Sequence, residues 1–173
     1  MLMPIVLDTP GEHQCQRICY SISMIIEVSS ADAMKQLGAT LGNLVQGGET
    51  IVLIGDIGAG KTTFTKGLAS AMGVGEDVQS PTFTISRVYD TARGVTLAHY
   101  DFYRLNDPGI MKAELAEVIH DPQVVTVIEW GEVVADVVPR NALRITITAT
   151  GETTRRVSVE TSDDMKYITE KLG

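Results

Sequence analysis

Apolar positions along this chain change period several times, and each change marks an element. Regular patterning starts at Met24-Ile25-Ile26, and Ile25 to Val28 reads as a short strand. Ser29-Ser30-Ala31-Asp32 opens a helix in capping-box style, with Ser29 as the expected cap. Met34, Leu37, Leu41 and Leu44 then recur at helical spacing, which buries one face, and Gly47-Gly48 ends the helix. Thr50 to Ile54 is an unbroken apolar run, the pattern of a strand covered on both faces of a parallel sheet. A glycine-rich turn from Gly55 to Gly60 follows. The next helix places Phe64, Leu68 and Met72 four apart and stops at Gly73.

Downstream, Thr82 to Tyr89 and Val95 to Phe102 read as strands joined by a turn at Thr91 to Gly94. Asp107-Pro108 predicts a helix with proline at its first position, reaching about Ile119. Val124 to Ile128 is a second buried apolar strand. Leu143, Ile145 and Ile147 alternate with Arg144, Thr146 and Thr148, and a turn near Gly151 leads into Arg155 to Glu160, an antiparallel hairpin. Ser162-Asp163-Asp164 caps a last helix that turns Met165, Ile168 and Leu172 inward. Strands alternating with helices predict an α/β fold, a mixed, mostly parallel sheet between helices with a C-terminal antiparallel hairpin; the strand Thr50–Ile54, the turn Gly55-Asp56-Ile57-Gly58-Ala59-Gly60 and the helix opening at Lys61-Thr62 make it one of the P-loop NTPase type.

Residues 1–23 carry no useful period and read as an N-terminal extension, leaving residues 24–173 as one domain. Asp8 and Glu12 interrupt the segment, so it does not resemble a secretory signal. A chain of 173 residues fits one compact domain. No stretch approaches the ~20 consecutive apolar residues of a bilayer-spanning helix. With 14 Lys+Arg against 22 Asp+Glu, the formal charge of −8 argues against unaided grip on nucleic acid, and leaves open an assembly in which a partner holds it. The two cysteines, Cys15 and Cys19, are too few for a disulfide framework, and with His13 they fall short of four zinc ligands. A reducing, cytoplasmic setting fits this usage.

The chemistry concentrates at Gly55-Asp56-Ile57-Gly58-Ala59-Gly60-Lys61-Thr62, which matches G-x-x-x-x-G-K-[ST] at every fixed position. Glycines let the backbone bend so that successive amides face a phosphate. The helix N-terminus adds about half a positive charge. Lys61 is expected to span the β- and γ-phosphates, and Thr62 to ligate Mg²⁺. The predicted nucleotide contacts are Asp56, Ile57, Gly58, Ala59, Gly60, Lys61, Thr62 and Thr63. Glu129 closes the apolar strand 124–128, where a buried strand delivers an acid to the ligand edge of the sheet. Asp101 ends another strand and shares a face with Leu97 and His99; it could orient water, reach Mg²⁺ through water, or cap the following turn. Trp130, the single tryptophan, could lie beside the nucleotide, face a partner or fill core volume. No N-K-x-D guanine motif occurs, which leaves ATP as the expected nucleotide.

Four ordered motifs make a more specific pattern: Gly55 to Thr63, then Ser80-Pro81-Thr82-Phe83-Thr84, then His99-Tyr100-Asp101-Phe102-Tyr103-Arg104-Leu105, then Ile128-Glu129-Trp130. Together they resemble the TsaE (YjeE) family, over about Met24 to the C-terminus. The resemblance implies a bacterial ATPase that binds ATP or ADP with Mg²⁺, is weak alone, and works with the TsaB–TsaD pair. That pair transfers a threonylcarbamoyl group to adenosine 37 of tRNAs reading codons that begin with A. By motif position, Lys61 and Thr62 are the phosphate and Mg²⁺ residues, and Glu129 is the magnesium-side acid. Asp101 is the acid implicated in hydrolysis, Ser80-Pro81-Thr82 a switch-like segment, and Trp130 an important neighbour of the site. The catalytic set is therefore Asp101, Lys61 and Glu129, with Thr62 and Glu129 toward the metal.

No arginine is placed by the sequence as an in-chain finger, with Arg87 and Arg104 left open, so slow turnover without partners is expected. Two rival readings remain at this level: a P-loop kinase of small molecules, which would want an arginine-rich lid, and an ATP-gated adaptor in which hydrolysis plays no part.

Overall fold

The computed structural model describes residues 21–172. They form β1 (Ser21–Val28), α1 (Ala31–Leu44), β2 (Thr50–Ile54), α2 (Lys61–Met72), β3 (Ser86–Asp90), β4 (Thr96–Asp101) and α3 (Ile110–Val118). They continue with β5 (Val124–Glu129), β6 (Leu143–Ala149), β7 (Arg155–Thr161) and α4 (Lys166–Leu172), plus short 3-10 turns at Gly131–Val134 and Asp163–Met165. Cys15, Cys19 and His13 lie outside the described residues, as does all but the end of the expected extension. Strand β1 begins at Ser21, four residues before the expected Ile25.

The sheet runs β1-β7-β6-β2-β5-β4-β3. Its four central strands, β6, β2, β5 and β4, are mutually parallel. The outer pairings, β1 with β7, β7 with β6 and β3 with β4, are antiparallel. Alternation sorts the central strands between two cores. Ile51, Leu53, Val125 and Val127 join Met34, Leu41, Phe64, Leu68 and Ile168 under α1, α2 and α4. Val52, Ala98, Tyr100 and Ile128 join Leu115, Ile119 and Val134 on the opposite face, beneath α3. Helices α1 and α2 touch backbone to backbone: a Cβ on Gly67 would overlap the Lys35 carbonyl, and one on Gly38 the Phe64 carbonyl. That contact fixes α2, and with it the loop that α2 caps.

Several boundaries differ from the sequence expectation, each for a local reason. The cap of α1 is Ser30 rather than Ser29, since only Ser30 stands three residues before the Ala33 amide that its hydroxyl accepts, at 3.1 Å. Residues 82–85 are a turn, not strand: the amides of Thr84 and Ile85 both reach the Pro81 carbonyl, at 2.9 and 2.6 Å, and Ile85 has φ 68°. Helix α3 starts at Ile110 rather than Pro108, because the Asp107 carboxylate takes the Gly109 amide at 2.9 Å and Gly109 turns to φ 49°. The last helix opens as a 3-10 turn, and the Ser162 side chain makes no capping bond.

Candidate functional site

Strand β2 ends at Ile54, and the chain must turn sharply to enter α2. It does so through Gly55, Gly58 and Gly60, at φ 151°, 76° and 112°, values that a side chain resists. At Gly55 space is also lacking, since a Cβ would overlap the Ile147 carbonyl on β6. The Ala59 amide bonds the Asp56 carbonyl at 3.1 Å, and the Phe64 amide bonds the Gly60 carbonyl at 2.9 Å to start the helix. Ile57 stands out from the crest of the loop, 71% exposed.

Behind the loop sits a residue that sequence reasoning missed. Arg155, the first residue of β7, donates to the Ala59 carbonyl at 3.1 Å and the Gly58 carbonyl at 3.4 Å. The same guanidinium holds the carbonyls of Gly151, Glu152 and Thr154 at 3.1, 3.3 and 2.9 Å. It ties the β6–β7 turn to the loop and anchors two loop carbonyls on that side. Only the return of β7 beside the loop brings residue 155 near residues 58 and 59, so spacing offered no signal.

Two acids face the loop from the sheet. Strands β4 and β5 run parallel, with Asp101 in register beside Glu129, and β2 pairs Leu53 with Glu129. Both acids are buried. The Thr62 hydroxyl donates to Glu129 Oε1 at 3.2 Å, and His99 Nε2 meets the same oxygen at 3.0 Å. Asp101 accepts from Ser80 and from Thr82, the latter at 2.7 Å, through Oδ2, and from the Tyr103 amide at 3.0 Å through Oδ1. Of the alternatives open from sequence, turn capping is met: Asp101 holds the amide of its own turn, and it also lines the cavity.

Lys61 lies folded over the loop. Its Nζ donates to the carbonyls of Gly55 at 2.7 Å and Asp56 at 3.1 Å, and sits 4.3 Å from the centre of the Trp130 ring. Burial lowers its pKa from the usual lysine value, and the charges of Glu129, Asp101, Asp56 and Glu132 pull the other way. Trp130 adopts φ 58°, so the chain reverses hand immediately after Glu129. Its ring packs against the core beneath α3 and lies 5.0 Å from Tyr103, so core filling and site lining are both true of it.

These groups enclose a cavity of about 290 Å³, lined among others by Lys61, Thr62, Asp101, Arg104, Glu129 and Trp130. A smaller one of about 170 Å³ touches Gly58, Gly60, Thr62, Thr63 and Glu129. On the other flank of the loop a cavity of about 360 Å³ is lined by Ser30, Met34, Ala59, Gly60, Thr63 and Arg155 among others. Of the arginines left open, Arg104 lines the first cavity with its guanidinium 5.2 Å from the exposed Phe83 ring, while Arg87 pairs with Glu76 at 2.9 Å away from it. Among the described residues no cluster of three or more His, Cys, Asp or Glu could hold a metal. The Thr62 hydroxyl and Glu129 carboxylate still offer two hard oxygens, the donor set for a Mg²⁺ that keeps most of its shell as water and phosphate.

A buried parallel strand, a glycine turn into a lysine-led helix and an acid at the end of the neighbouring strand define a protein of the P-loop NTPase-like fold. The chain belongs to the TsaE family, which takes part in tRNA threonylcarbamoyladenosine biosynthesis: residues 28–157 match the family model for threonylcarbamoyl adenosine biosynthesis protein TsaE. It is 35% identical over 137 residues to the tRNA threonylcarbamoyladenosine biosynthesis protein TsaE of Streptomyces coelicolor, covering 79% of this chain and 88% of that one. To the protein of the same name from Treponema pallidum it is 37% identical over 131 residues, 75% and 95% of the two chains. The crystal structure of Bacillus subtilis YdiB superposes with a TM-score of 0.72 at 28% identity, covering 86% of this chain and 93% of that one. Among the described residues no helix is long and apolar enough to cross a membrane.

Proposed function

We propose that the chain binds ATP or ADP with Mg²⁺ and hydrolyses ATP in support of repeated threonylcarbamoyl transfer to adenosine 37 of tRNA by a TsaB–TsaD complex in the cytoplasm. The observation that carries this reading is the Thr62 hydroxyl on the Glu129 carboxylate, held at the mouth of a loop that turns through Gly55, Gly58 and Gly60 at positive φ. The nucleoside fits the flank beside Met34 and Thr63, and the phosphates run over Gly58 to Thr63. Lys61 leaves its two carbonyls for the β- and γ-phosphates. Thr62 and Glu129 are the residues to hold Mg²⁺, which supplies neutralisation of phosphate charge there. Asp101, once Ser80 and Thr82 turn away, orients the water that adds to the γ-phosphorus as ADP leaves.

Turnover is expected to be slow in isolation. Arg104 rests against Phe83, 86% exposed on the segment next to Asp101, so a partner that moves Phe83 also moves the arginine and the hydroxyls that hold the acid. The net charge of −8 favours contact with tRNA through those partners. The deciding experiment reconstitutes threonylcarbamoyl transfer over many turnovers, with and without this chain, alongside Asp101→Asn. Transfer should stall after early turnovers without the chain. Equal yield in its absence sinks the proposal, and full yield with an Asp101→Asn protein that binds but does not hydrolyse ATP leaves an adaptor role instead.

A further inference from the structure

His99 belongs to neither the loop nor the acids, yet it is the most enclosed polar group at the site. It lies in the middle of β4, fully buried, between Arg87 of β3 and Val127 of β5 in the strand register. On the same face of β4 it follows Leu97, a core residue, and precedes Asp101. A leucine there would continue the apolar face. Imidazole instead brings a polar Nδ1 that meets no partner among the described residues, a cost to the fold. What the ring gains is one bond, from Nε2 to Glu129 Oε1 at 3.0 Å. A carboxylate only accepts, so Nε2 carries the hydrogen.

That bond has a geometric consequence. Oε1 of Glu129 receives both the Thr62 hydroxyl and the His99 ring, from the helix side and the strand side. Oε2 takes no hydrogen bond from any described residue. Two donors converging on one oxygen fix the torsion of the carboxylate and leave the other oxygen free. We propose that His99 is the positioning residue for Glu129: it holds the acid so that one oxygen remains available to the magnesium of a bound nucleotide. This rests on the nucleotide reading above and assigns to a third element, β4, the orientation of a group supplied by β5. Thr62 alone cannot do it once its hydroxyl turns to the metal, whereas the imidazole bond survives loading. Outer partners of this kind commonly set metal affinity without touching the metal.

The test separates position from packing. Trp130 is the single tryptophan and its ring lies 4.3 Å from Lys61 Nζ, so its fluorescence reports loading of the site without any turnover. ADP is titrated first without metal, then Mg²⁺ is titrated at saturating ADP, for the wild type, His99→Leu and His99→Gln. Leucine fills the volume without a donor; glutamine carries an amide N–H to about the place of Nε2. In His99→Leu the Mg²⁺ half-saturation point should rise by roughly 10–100-fold, with metal-free ADP binding unchanged, and His99→Gln should restore most of it. An unshifted Mg²⁺ titration in His99→Leu overturns the inference. So does an equal shift in His99→Gln, or a matching loss of metal-free binding, because each makes the residue a packing element. If His99→Leu does not fold, His99→Met replaces it against the same glutamine. A wild-type protein that shows no response to nucleotide would instead remove the nucleotide reading, and this inference with it.

Discussion

Replacing Lys61 by methionine is the sharpest perturbation of the loop, because the thioether keeps an unbranched apolar stem of similar length and removes the ammonium, with its contact to the Trp130 ring. In the empty site that ammonium holds the Gly55 and Asp56 carbonyls. It must exchange them for phosphate oxygens, so its net value is that of a charge-assisted bond, about 1.5–3 kcal/mol. Weakening by that amount raises the dissociation constant by roughly 10- to 150-fold. A ligand at about 100 times its dissociation constant stabilises the native state by ~2.7 kcal/mol. For a domain of this size that lifts the melting temperature by roughly 5–10 °C. With affinity weakened about 100-fold, the same ligand concentration equals the new constant and leaves ~0.4 kcal/mol, a rise of about 1 °C. Thermal unfolding with and without Mg-ATP, at one fixed concentration, measures both. A full wild-type shift in Lys61→Met would show that the loop does not hold phosphate through this side chain, and the placement of the nucleotide would be wrong.

Arg155→Ala should weaken nucleotide binding by about tenfold, as the anchors on the Gly58 and Ala59 carbonyls are lost; calorimetric titration decides, and an unchanged affinity would make the clamp irrelevant to the cradle. Gly67→Ala forces α2 off α1, and overpacking of this kind costs about 1–3 kcal/mol. The melting temperature should then drop by roughly 3–10 °C, and an unchanged value would mean that the helices separate freely. Tyr100 and Tyr167 are both pushed above the ordinary phenol range, first by burial, then by the nearby charges of Glu114 and Glu49 and their hydrogen bonds to them. In the unfolded chain these phenols ionise near about 10, while the native ones stay protonated, so stability present below that pH is lost as the pH climbs above it. Tyr100→Phe and Tyr167→Phe should each flatten the alkaline decline in melting temperature, and a decline of unchanged slope would clear them of it.

Local patterns were legible wherever one element carries its own signal. The loop 55–60, the lysine and threonine after it and the strand ending at Glu129 all stand where their spacing put them, because a turn between a buried strand and a helix is written in consecutive residues. Errors fell where short polar groups compete for the backbone. The Pro81 carbonyl draws in two amides and unmakes a strand at residues 82–85, and the Asp107 carboxylate, bonded to the Gly109 amide, delays α3 from Pro108 to Ile110. Those choices are settled by bonds a few residues apart that an apolar period does not register.

Sequence alone determined the alternation of strands and helices, the glycine turn and the identity of the residues at its mouth, since each is encoded within a stretch of a few residues. Only the tertiary structure decided that Asp101 and Glu129 stand side by side, that His99 shares an oxygen with Thr62, and that Arg155 reaches back across 96 positions to the Ala59 carbonyl. These relations depend on strand order and register, which follow from how the whole sheet buries both faces at once.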